Sequence, residues 1–121
     1  PNYYASVKLE EPENSFEVIK KMLTENKKIS SIICSTEFSA LSAIKACNYL
    51  NYKIGKDISI ITFDGALVRD LSSPPITAVS FPVKELGKRA INILLDKNKN
   101  QTVNYLAKSE IIERGSVHIV S

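Results

Sequence analysis

Along the 121 residues, short apolar runs alternate with segments whose apolar positions recur every three or four residues. Phe16, Ile19 and Leu23 fall at helical spacing, with Met22 beside them, so the pattern predicts an amphipathic helix over residues 15–25. Asn14 and Glu17, three apart, form a partial capping box ahead of it. Phe38, Leu41, Ile44 and Leu50 predict a second helix over residues 37–50. Leu86, Ala90, Ile93 and Leu94 stand at i, i+4, i+7 and i+8 after Pro82, and predict a third over residues 83–96.

Between these lie the strands. Residues 3–9 (YYASVKL) mix aromatic and branched side chains and read as a strand. Residues 29–35 (ISSIICS) and 57–63 (DISIITF) are short apolar runs of the kind buried on both faces of a parallel sheet. The second stops at the turn dipeptide Asp64-Gly65. Residues 76–81 are extended after Pro74-Pro75, and a last strand is expected around residues 109–113. The order β-α-β-α-β-β-α-β implies right-handed crossovers and a mostly parallel, doubly wound α/β sheet.

Composition changes this picture little. With 44% hydrophobic and 24% charged residues, the chain is globular in character, and its length suits one core burying roughly two-thirds of the unfolded surface. No apolar run reaches the ~20 residues of a membrane helix. The net charge of +3 sets 16 basic residues, 13 Lys and 3 Arg, against 13 acidic ones, with lysine doublets only at Lys20-Lys21 and Lys27-Lys28. Such a spread fits a solvated lysine-rich surface better than a nucleic-acid tail. Cys34 and Cys47 both sit in apolar patterns and read as core thiols of a reducing compartment. With His118 far away in sequence, no metal set is expected.

Candidate chemistry gathers at strand ends, because ligands of open parallel sheets bind beyond the carboxyl ends of the strands. Ser35-Thr36-Glu37 follows one buried run, and Asp64 follows the other. Two readings stand side by side. Thr36 caps a helix and Asp64 starts a turn, or Asp64 accepts hydrogen bonds from ligand hydroxyls or an amine, with Thr36 as a second polar contact. Glycines at 55, 65, 87 and 115 form no phosphate loop, and neither GxSxG nor HExxH occurs, so no enzyme activity and no cofactor are expected. Glu37 with Asp64 as an acid–base couple has nothing else behind it. A phosphotransfer receiver would need an acidic pair that residues 3–11 supply only loosely.

The phrases ICSTEFSALSAIKACNYLNYKIGKDISIITFDG, PPITAVSFPVKELGKRAINILLD and EIIERGS, in that order over residues 29–116, resemble the C-terminal part of lac-repressor-type (LacI/GalR family) transcriptional regulators. The resemblance implies a type I periplasmic-binding-protein-like domain of two doubly wound subdomains. It implies a cytoplasmic repressor that dimerises and reads operator DNA through an N-terminal helix-turn-helix this chain does not contain. A small effector, a sugar or nucleobase-like molecule, enters the cleft between subdomains. The effector-binding Asp falls on Asp64, and the family's Asn-Asp pair on Thr36 and Glu37, while Thr62 replaces a Gly and Gly55 a Pro. Residues 1–79 would be part of the C-terminal subdomain, 80–105 the crossover and a helix of the N-terminal one, and 106–121 the returning strand and tail. Leu41, Ile44, Leu67 and Leu71 would form the dimer contact, although the helical spacing of Leu41 and Ile44 fits a core position better. The chain would then be a piece of a protein roughly two to three times longer. A sugar-binding transport component of the same fold is the alternative.

Overall fold

The structure, a computed structural model, describes residues 4–6, 12–64, 71–96 and 104–118. Within them the chain forms helix α1 (Pro12–Glu25), strand β1 (Ser31–Cys34), helix α2 (Glu37–Tyr49), strands β2 (Ser59–Phe63) and β3 (Thr77–Ser80), helix α3 (Val83–Leu95) and strand β4 (Glu110–Ile112). The sheet runs β1-β2-β3-β4, parallel across the first three strands and closed by antiparallel β4. The mostly parallel α/β architecture expected from the alternation is therefore present.

Three expectations change in detail. The first helix begins at Pro12, three residues earlier than its apolar spacing indicates. Proline suits a first turn, where its missing N–H has no helical partner to lose. Asn14 therefore lies inside the first turn instead of capping it, and Glu17 pairs with Lys20 at 2.5 Å. The leading strand falls partly outside the described residues, and its described centre, residues 4–6, takes no place in the sheet.

The third change is one-sided burial. Ile58, Ile60 and Thr62 turn one face of β2 inward, and Ala78 and Cys34 lie on the same face in register with Thr62. Against it pack Ala40, Ala43 and Cys47 of α2, with Leu23 of α1 completing the core. On the opposite face Ile33 is 73% exposed. Strand β1 is thus not buried on both faces, because α1 and α2 pack together as one layer and no described element covers the other side. The apolar run signalled burial that this stretch of chain does not by itself provide.

The helix pair also accounts for part of the lysine surplus. Phe16 and Tyr49 meet edge to face at 5.9 Å. Lys20 lies over both rings at 5.1 and 5.3 Å, and Lys45 lies 4.8 Å from the Phe16 centroid. These ammonium groups therefore stiffen the α1–α2 contact through the ring quadrupoles. They do not form an isolated basic patch.

Burial pushes the Cys34 thiol up to about 11, opposed by a hydrogen bond with Ser39, and burial together with the nearby Cys34 does the same to Cys47. At pH 8 a thiol of pKa 11 is about 0.1% thiolate, against about 10% at an ordinary value near 9. Both cysteines should react about 100-fold more slowly with an alkylating reagent in the native chain than in denaturant. Timed alkylation followed by mass measurement checks this, and equal rates would contradict the burial. In the same core, Ile60→Ala removes a fully buried side chain. It should cost about 2–5 kcal/mol in urea unfolding, from lost transfer energy plus the cavity.

Candidate functional site

Register brings the polar strand tips together. Cys34 pairs with Thr62 across β1 and β2, so Thr36 and Asp64 each lie two residues beyond a matched pair at the same rim of the sheet. Phe63 in turn pairs with Val79. The carboxyl ends of three adjacent strands thus present Ser35, Thr36 and Glu37, then Phe63 and Asp64, then Ser80 and Phe81.

At the first tip, Thr36 caps α2. Its extended backbone (φ −141°, ψ 158°) precedes the helix, and its Oγ1 accepts from the Ser39 N–H at 3.2 Å. The Thr36 N–H donates to Ser39 Oγ, also at 3.2 Å, and Ser39 Oγ donates to the Thr36 carbonyl at 2.7 Å. The capping reading of Thr36 therefore holds, and its hydroxyl is only partly available to anything else. Thr36→Ala should cost about 1 kcal/mol of stability while Thr36→Ser restores it; thermal unfolding of the two variants separates this role from ligand contact. Glu37 stands in the first turn of α2, half-buried, where a carboxylate complements the helix dipole.

At the second tip, Asp64 is exposed and adopts φ +69°, a left-handed conformation that Asp tolerates better than most residues. Its N–H donates to the Val79 carbonyl at 2.8 Å, fixing the backbone to β3. The turn reading of Asp64 is thus also fulfilled. It leaves the carboxylate on a held backbone, facing solvent at the rim.

A feature that the sequence pattern does not reveal joins the second tip to the third. Phe63 and Phe81 stack with centroids 6.2 Å apart and planes within 16°. They are 39% and 42% exposed. Eighteen positions separate them, and only the adjacency of β2 and β3 brings them together. The phrase SFP after the third strand is a visible signal, but it has no partner until the strand order is known. The rim offers an aromatic surface beside a carboxylate, suited to a small molecule with a flat or apolar face and hydrogen-bonding edges.

Thr62 is fully buried, and its hydroxyl donates to the Phe63 carbonyl at 3.1 Å. It does not protrude into the rim. Leu41 and Ile44 are half-buried and pack against the core; Leu71 is 70% exposed; Leu67 lies outside the described residues. A separate cleft of about 850 Å³ runs along the open edge of β1, between residues 4–6 and α1. Among its lining residues Lys28 alone is charged, and it shares with the rim only Ser35 and Ser39 at its end. The cleft's polar lining is of serines with Tyr4 and Lys28 and includes no carboxylate, whereas the rim joins the Asp64 carboxylate to an aromatic stack, so the rim is the better candidate.

Comparison with known proteins agrees with this arrangement. A family model described as a periplasmic binding protein-like domain matches residues 2–117, and the chain belongs to that family. The HTH-type transcriptional regulator RegA of Clostridium saccharobutylicum is 32% identical over 117 residues, covering 94% of this chain and 34% of that protein. The HTH-type transcriptional repressor PurR of Haemophilus influenzae is 31% identical over 103 residues, covering 84% of this chain and 31% of its own length. A LacI family regulator from Bifidobacterium animalis subsp. lactis superposes with a TM-score of 0.75 at 26% identity, covering 91% of this chain and 41% of that one. The chain thus spans about a third of the length of the curated relatives it matches, and the resemblance to lac-repressor-type regulators is borne out.

Proposed function

We propose that the chain is the effector-binding portion of a cytoplasmic transcriptional repressor whose DNA-binding part lies elsewhere in a longer polypeptide. The observation that carries this is the rim, where the tips of three adjacent strands bring Thr36 and Glu37, then Asp64, then the stacked Phe63 and Phe81 to one end of a periplasmic-binding-protein-like sheet. The ionised Asp64 accepts hydrogen bonds from hydroxyl or amine groups of the effector, and the aromatic pair meets its flat face. The effector is a small metabolite, a sugar or a nucleobase-like molecule. The names of the matched relatives, an HTH-type regulator and an HTH-type repressor, support regulation over transport or catalysis.

Helix α3 fits the same reading. Val83, Ile91, Leu94 and Leu95 are all more than half exposed, and no other described helix or strand packs on it. An amphipathic helix with a bare apolar stripe is the expected state of an element whose packing partners lie in a second subdomain. Residues 1–79 then belong to one subdomain, 80–105 cross into the other, and 106–121 return. The protein works as a homodimer, with Leu41, Ile44, Leu67 and Leu71 near the contact.

The test uses the full-length polypeptide on its own upstream DNA, in a mobility-shift assay with and without effector found by a thermal-shift screen of sugars, sugar phosphates and purines. The effector should change operator affinity, and Asp64→Ala should abolish that change while leaving basal DNA binding intact. An unaltered effector response in Asp64→Ala would remove Asp64 from the site. A gene whose 5′ end encodes a secretory leader in place of a helix-turn-helix would point to a transport component.

A further inference from the structure

We propose that residues 114–118 form a clasp that sets β3 against β2 and thereby positions the backbone of Asp64; the link to ligand binding, though not the clasp itself, rests on the function proposed above. After β4 the chain crosses from its own lane in the sheet into the lane below the start of β3. Ser116 is fully buried there. Its Oγ donates to the Ile60 carbonyl at 2.6 Å and accepts from the Thr77 N–H at 2.8 Å, so one hydroxyl joins β2 to β3. The Ser116 carbonyl accepts from the Ile60 N–H at 2.9 Å, doubling the tie to β2.

Arg114 grips β3 from the other side. Its N–H donates to Thr77 Oγ1 at 2.9 Å, and its Nη1 donates to the Ile76 carbonyl at 2.5 Å. His118 extends the attachment along β2, its N–H donating to Ser59 Oγ at 3.3 Å, with its Nδ1 3.0 Å from the same oxygen. Gly115 lets the turn pass close to Pro74, since a Cβ there would meet the Pro74 Cβ at 3.0 Å. Residues 76 and 77, where β3 starts, are thus held at two carbonyl or amide groups and one side chain, all by residues 114 and 116.

The other end of this short strand holds the rim. Val79 is two residues beyond Thr77, roughly 7 Å along an extended strand, and its carbonyl accepts the Asp64 N–H. A left-handed conformation is unfavourable for a non-glycine residue and persists where its surroundings impose it. For Asp64 that imposition is the Val79 hydrogen bond; Val79 is held by its ladder pairing with Phe63, and Ser116 anchors the start of the same short ladder at Thr77 and Ile60. Arg114 and Ser116 act on the site through β3 without touching a ligand, and are positioning residues.

Amide hydrogen exchange followed by NMR on the ligand-free chain tests this, with Ser116→Ala against the parent. The Asp64 and Ile60 amides should exchange at least tenfold faster in the variant. The Ala40 amide, bonded to the Thr36 carbonyl, and the Tyr52 amide, bonded to the Cys47 carbonyl, should be unchanged within twofold. Equal acceleration at all four amides would make Ser116 a general stabiliser and overturn the positioning role, as would an unaltered Asp64 amide. Should Ser116→Ala not fold, Arg114→Lys, which loses the Ile76 contact from a half-buried side chain, should accelerate Asp64 about threefold with Ala40 unchanged. Selective loosening of Asp64 in a chain that binds no sugar or nucleobase at the rim would uphold the clasp while the functional reading fails.

Discussion

Asp64→Ala is expected to weaken binding of the effector by about 10- to 150-fold while lowering stability by no more than about 1 kcal/mol. The first half follows from the value of a hydrogen bond to a charged acceptor, about 1.5–3 kcal/mol net. The second follows from the position of the side chain. Asp64 is exposed, and its structural tie to β3 runs through the backbone N–H, which alanine retains. The one opposing contribution is the left-handed φ of +69°, which alanine tolerates less well than aspartate, at a cost of about 1 kcal/mol. Asp64→Asn separates the two effects. It keeps the tolerance for that backbone and removes the charge, so it should bind as poorly as the alanine variant and unfold like the parent. Calorimetric titration beside urea unfolding of the three proteins checks both halves.

Gly55→Ala is expected to cost about 2–5 kcal/mol in urea unfolding, more than the same change at Gly87 or Gly115. Gly55 has φ +78°, which costs an L-residue about 1–2 kcal/mol. A Cβ at this position would stand 2.1 Å from the Gly115 carbonyl oxygen, a clash with backbone that no rotamer change relieves. Overpacking of this kind adds about 1–3 kcal/mol. Because Gly115 lies in the clasp, the variant should also loosen the Asp64 amide. Gly87→Ala is the matched control. Nothing lies within 4 Å of its Cβ position, and it sits inside α3, so alanine there should be neutral or mildly stabilising. A Gly55→Ala midpoint equal to that of Gly87→Ala would contradict the close approach of residues 55 and 115.

Much of this architecture is legible in the amino-acid order. The runs ISSIICS and DISIITF mark β1 and β2, because a short stretch dominated by isoleucine is too brief for a helix and too apolar for a loop. Thr36 and Asp64 follow from the rule that places ligands at strand carboxyl ends, and the parallel register then sets them level. One-sided burial is not legible, since the apolar pattern of β1 records a neighbour on both faces whether or not the described chain supplies it. Nor is the Phe63–Phe81 stack, which depends on strand order. The IIERGS phrase marks the family without disclosing what its residues do. Ser116 and Arg114 make their contacts 37 to 56 positions away, and no local spacing encodes such pairs. Gly55 illustrates the same limit. Its left-handed φ of +78° and its close approach to Gly115, 60 positions away, are invisible in the local pattern.

The central claim is that a small molecule binds at the sheet rim. An NMR titration of the isotope-labelled chain with a panel of sugars, sugar phosphates and purines measures that directly, since shift mapping detects the weak binding expected of an open rim. At least one compound should move the amides of residues 35–37, 63–64 and 80–81 together, and Asp64→Asn should abolish the movement. Shifts confined to the edge of β1 near Ile33, or saturable binding that leaves the rim amides unmoved, would contradict the claim.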